Sequence, residues 1–176
     1  MDTSCVREML KDSRVDVNEP DFSGYTPLWN AAWYGSLDII KWWIASGREM
    51  DLGKPGDVDN TDAIGGAKKN GWTEVASLLE RFKENPEETR HMVRVELGWY
   101  DDLAAEMFAL VVFVSDGLLQ VDNPVDTTPA ARFFRISTQL PLELQMVLCY
   151  RVVGLSKEII SGNDSEAAFK SLAKRI

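Results

Sequence analysis

The sequence predicts an all-α chain, a short helical repeat array capped by a helical extension of about five helices. Three observations carry this. Ala31, Gly35, Ile39 and Trp43 are matched 36 residues later by Ala67, Gly71, Val75 and Leu79. Fixed-period self-similarity of this kind marks repeat architectures. Pro27, Pro86, Pro129 and Pro141 each stand where a helix opens, a position that does not need the missing N–H. The second half shows apolar residues at helical spacing and no alternating strands.

The first full unit reads Asp21-Phe-Ser-Gly24-Tyr-Thr26-Pro27-Leu28-Trp29-Asn30-Ala31-Ala32-Trp33-Tyr34-Gly35 and continues through Leu37, Ile39, Ile40, Trp43 and Ile44 to Gly47. Gly24 suits a tight turn. Thr26 caps a helix whose first residue is Pro27. Ala31 and Ala32 let neighbouring helices approach. Gly35 separates two short antiparallel helices, and Gly47 ends the second. This segment closely resembles the ankyrin repeat. Trp29 stands where that family carries histidine, so a polar hydrogen-bonding group is expected to be lost and the seam to be more apolar.

The next unit is degenerate, with Asp62-Ala63-Ile64 in place of Thr-Pro-Leu. Its leading loop, Gly53 to Asn60, is about three residues longer than the common period of roughly 33. Its helices are expected at Ala63–Lys69 and Thr73–Lys83, with Gly65-Gly66 marking close packing. Upstream, Cys5–Leu10 and Val15-Asp16-Val17-Asn18 read as the second helix and exit of a half unit whose first helix is absent. The resemblance covers about residues 3–84 and leaves the amino-terminal face of the array open. Missing upstream sequence, a partner or a second copy would cover it, so self-association through this face is possible.

Residues 85–176 read as the helical extension. Asn85, Pro86 and Glu88 form a capped helix start, and Gly98 ends that helix. Asp101 is expected to cap the next one, running to Ser115 or Leu119. There Leu103, Met107, Leu110, Val111 and Val114 share a face, and burial nearly all round is expected. A polar loop spans Val121–Thr128. Pro129 opens a helix to Gln139, and Pro141 one to Gly154. A last helix from Asp164 to Arg175 buries Ala168, Phe169, Leu172 and Ile176. The extension is expected to cap the last repeat.

Charge narrows the partner class. The net charge of −9 disfavours phosphate backbones, whereas a basic protein surface fits. No membrane span is expected: the most apolar tract, Leu103–Val114, is short and contains Glu106. No basic, then apolar, leader opens the chain, and cytoplasmic location is the expectation. No catalytic residue, metal site or cofactor is expected. His91 is the sole histidine; with Glu88 it makes half of a carboxylate-bridged metal motif, and no second half exists. Asp57, Asp59 and Asp62 alternate as in a calcium loop but lack its glycine and distant glutamate. Cys149, among Met146, Val147 and Leu148, reads as a buried thiol. Asn163-Asp164-Ser165 fits a glycosylation sequon, though nothing else indicates secretion.

The aromatic residues point to binding. Four of the six tryptophans, Trp29, Trp33, Trp42 and Trp43, lie in the first full unit, and Trp42 and Trp43 cannot both face inward. Ankyrin resemblance implies partner contact at the hairpin tip and the exposed face of the first helix. Those positions are Phe22, Ser23, Tyr25, Asn30, Trp33 and Tyr34, and in the next unit Lys68, Lys69 and Asn70. Alternatively the extension folds over this face. The implied function is a protein-binding module or scaffold. A second resemblance, Leu140-Pro141-Leu142-Glu143-Leu144 with Val147-Leu148, is to the start of an F-box. It implies an adaptor of a cullin-type ubiquitin ligase, although the later Ser-Lys-x-Trp part is missing.

Overall fold

A computed structural model describes residues 3–53, 61–120 and 128–175. These residues form helices and turns, and no strand is present among them. By contact the chain divides into two compact units, Met1–Leu97 and Gly98–Ile176. The sequence reading divides the chain at 84/85; by contact, the helix that follows goes with the first unit.

The first unit holds α1 (Thr3–Lys11), α2 (Pro27–Trp33), α3 (Leu37–Ser46), α4 (Ala63–Lys69), α5 (Thr73–Glu84) and α6 (Pro86–Glu96). The pair α2/α3 repeats as α4/α5 with closely matched backbone. The N-caps Thr26 and Asp62 are extended, and each side chain accepts the N–H three residues on, from Trp29 and Gly65. The C-caps Tyr34 and Asn70 share φ of −91° and −92°. Gly35 and Gly71 then turn the chain at φ +68° and +78°. Ser36 and Trp72 donate backbone N–H to Ala31 O and Ala67 O at 2.8 and 2.9 Å.

First helix packs on first helix, α2 on α4, and second on second, α3 on α5. α1 packs on α3 in the same sense, and α6 closes against α3 and α5. Leu28, Ala32, Ile40, Ile44, Leu79 and Val93 are fully buried between them. Each large aliphatic among these contributes about 1.5–3 kcal/mol of burial. Loops are stitched by hydrogen bonds at nearly the repeat spacing. Asn18 Nδ2 donates to Glu49 O and its Oδ1 accepts from Asp51 N, both at 3.1 Å. Arg48 donates to Asp12 O and Val15 O.

The expected loss of a polar group at Trp29 is corrected. Its ring is buried, yet its indole N–H donates to Thr61 O at 2.9 Å. The single indole donor reaches the next loop, so the seam keeps a hydrogen bond while gaining apolar area. Gly66 lies beneath the rings: a Cβ there would meet Trp33 at 3.3 Å. Trp43 is buried, and Trp42 lies under the Arg7 guanidinium at 4.0 Å.

The second unit holds α7 (Trp99–Ser115), α8 (Pro129–Ser137), α9 (Leu142–Val152) and α10 (Gly162–Ala173). α7 is central, touching the other three. Two expectations are corrected. Gly98, in the left-handed region, is the N-cap of α7, and Asp101 lies in its first turn. The Asp101 carboxylate instead pairs with Lys157 Nζ at 2.6 Å. The buried stripe of α7 is also rotated from the one the large residues suggest. Ala104, Ala105, Phe108, Ala109 and Val111 are buried, and Leu103 is exposed. Small residues at 104, 105 and 109 let α9 and α10 approach closely, which large side chains there would prevent. Ala168 is buried, while Phe169 and Leu172 are half-buried, Phe169 against Phe108 and Phe113. Asp57, Asp59, Ile176 and most of the 121–128 loop lie outside the described residues.

Candidate functional site

The expected contact residues begin at the 21–25 turn. Asp21 organises it. Its Oδ1 accepts from Ser23 N and Tyr25 N at 2.9 and 3.0 Å, and its Oδ2 from Asn30 Nδ2 at 3.2 Å. These bonds, Tyr25 N–H foremost, hold the carboxyl below its usual range. The turn so fixed projects Phe22 wholly into solvent. A rigid turn presenting a bare aromatic loses little entropy when it docks.

Below the turn, α2 carries an aromatic column. Tyr25 stacks on Trp29 at 4.1 Å between ring centroids, and Trp29 on Trp33 at 4.8 Å. Lys69 from α4 places its ammonium 5.3 Å over Trp33, a cation–π contact. Trp33 is half-buried in this column, not displayed. Trp72 adds to it: its indole N–H donates to Trp33 O at 3.0 Å.

The nine expected residues thus fall into two groups. Phe22, Ser23, Tyr25, Asn30 and Tyr34 gather around the turn and the open side of α2, where Tyr34 is 70% exposed. Trp33, Lys68, Lys69 and Asn70 lie toward α4; the last three are exposed, and each of the four also contacts a neighbour within the chain. Lys68 pairs with Glu80 at 2.5 Å. Asn70 donates its amide N–H to Gly66 O at 3.0 Å.

Tyr25, Asn30 and Tyr34 also line a groove of about 490 Å³ between α1 and α2. Its other walls include Val6, Met9, Ile39 and Trp43. Sequence reasoning named the residues of α2 here but not those of α1, where Met9 is exposed.

Thiol chemistry is muted at Cys149, where burial pushes the pKa up to about 11. Cys5 is exposed. Among the described residues no cluster of three or more His, Cys, Asp or Glu could hold a metal ion, and no helix is long and apolar enough to cross a membrane. No family model, curated protein or solved structure matches the chain.

Proposed function

We propose that the chain is an ankyrin-type protein-binding module with a helical extension, acting as a recognition or scaffold protein. The observation that carries this reading is the fully exposed Phe22, held on a turn braced by Asp21 at the head of a repeated helix pair. Phe and Tyr supply large contact area for few rotatable bonds, and interfaces concentrate their energy in such anchors. Affinity capture with mass spectrometry tests it, comparing the parent chain with a Phe22→Ala variant. Phe22 is exposed, so circular dichroism is expected to be unchanged while specific partners are lost. An identical partner list for both proteins would refute this face.

One observation favours a second reading, the F-box-like adaptor. α9 leaves Leu142 and Leu144, both in its first turn, exposed at 53% and 51%. Pull-down of a cullin-complex subunit, abolished by Leu144→Asp with the fold retained, is the expected result. No such subunit in the parent pull-down would remove this reading.

A further inference from the structure

We propose that the groove between α1 and α2 is a second docking site, and that it takes a cationic amphipathic helix from a partner protein. The groove shares Tyr25, Asn30 and Tyr34 with the proposed contact face but not Phe22, so Phe22→Ala separates a failure of the groove from a failure of that reading.

Three observations define the occupant. The first is shape. α1 stands to α3 as α3 stands to α5, second helix against second helix. No helix among the described residues stands to α2 as α2 stands to α4. The groove lies beside α2 on the side away from α4, where the spacing of the helix pairs sets room for a helix. Its volume is about 490 Å³.

The second is surface chemistry. Val6, Met9, Pro27, Ala31 and Ile39 give the groove an apolar floor and walls. Met9 is 53% exposed, and methionine adapts to a helix partner's contours. Trp43 also lines the groove and is buried.

The third is charge. The charged residues lining the groove are Asp16, Glu19 and Asp21, all acidic. With a chain net charge of −9, this repels a second copy and steers a cationic segment. Helix-in-groove docking reads an apolar stripe at i, i+3 or i+4 and i+7, and lysines or arginines flanking that stripe meet the acidic rim.

The experiment uses the full chain and two stapled helical peptides. Both carry the apolar pattern of Leu28, Trp29, Ala32 and Trp33. One has lysine at the remaining positions, the other glutamate. Fluorescence anisotropy is expected to show saturable binding of the lysine peptide and at least tenfold weaker binding of the glutamate peptide, a like-charge rejection. Glu19→Lys is expected to weaken the lysine peptide roughly three- to fivefold. Met9→Asp is expected to weaken it at least tenfold, by placing a charge in the apolar contact. Both positions are exposed, and circular dichroism checks their fold. Phe22→Ala is expected to leave peptide binding unchanged. Absence of saturable binding, equal affinity for the two peptides, or indifference to Met9→Asp overturns the proposal. So does sedimentation showing that the free chain is a dimer which Met9→Asp dissociates, because the occupant is then a second copy.

Discussion

Gly35 shows how one residue can serve two constraints. Its φ of +68° lies in the left-handed region, which costs any residue with a Cβ about 1 kcal/mol or more. It also lies under the Trp72 indole: a Cβ would come within 2.6 Å of Cε2 and 2.8 Å of Cε3. Gly35→Ala is therefore expected to destabilise the first unit by about 2–4 kcal/mol, above the cost of backbone strain alone. Combining it with Trp72→Ala relieves the steric part and leaves the backbone part. Urea denaturation of the four proteins in that cycle measures both. Additive effects would show that the indole is not what excludes a side chain at this site. Gly71 has similar backbone but no neighbour within 4 Å of a Cβ, so Gly71→Ala is expected to cost only the backbone share. Sequence alone makes the two glycines equivalent, and only the placement of Trp72 separates them.

At the scale of the element, α7 is the instructive case. Its large apolar residues suggested one face and nearly all-round burial. The helix instead turns its alanines inward and leaves Leu103 exposed. Hydropathy ranks Leu above Ala, but the close approach of α9 and α10 rewards small size. Ala105→Leu is expected to destabilise the second unit by about 1–3 kcal/mol through overpacking. Leu103→Lys is expected to stay within about 0.5 kcal/mol. Thermal melts of both variants decide this, and a costlier Leu103→Lys would put the buried face where the large residues suggested. α2 carries the converse lesson. Its start, cap and length were legible from Thr26-Pro27 and Gly35. The partner of Trp29, a carbonyl 32 residues away, was not.

At the scale of the molecule, the second unit is expected to lose stability in alkali. Burial pushes Tyr150 up to about 12 from 10.0, with Asp101 adding to the effect, and Cys149 up to about 11 from 9.0. Both lie in the second unit, and both are neutral when protonated. The unfolded chain therefore gives up these protons at lower pH than the folded one. Their contribution is complete below pH 9 and is lost as pH rises through the 9–12 window. The urea midpoint followed by far-ultraviolet circular dichroism is expected to fall across that window. Tryptophan fluorescence reports mainly on the first unit, which holds Trp29, Trp33, Trp42, Trp43 and Trp72. Tyr150→Phe and Cys149→Ala together should flatten the pH dependence of the circular dichroism midpoint. If the slope survives that double substitution, other groups carry it.

The sequence by itself determined the all-helical class and most helix starts, because caps, N1 prolines and turn glycines act over a few residues. It also determined the 36-residue internal repetition. Tertiary structure alone decided which face of α7 is buried, which of two matched glycines is sterically locked, and that Trp33 stacks on Trp29 beneath the Lys69 ammonium. It also joined α1 to α2 as the walls of one acidic-rimmed groove. Each of these depends on residues far apart in sequence meeting at van der Waals distance, and periodicity carries no record of that.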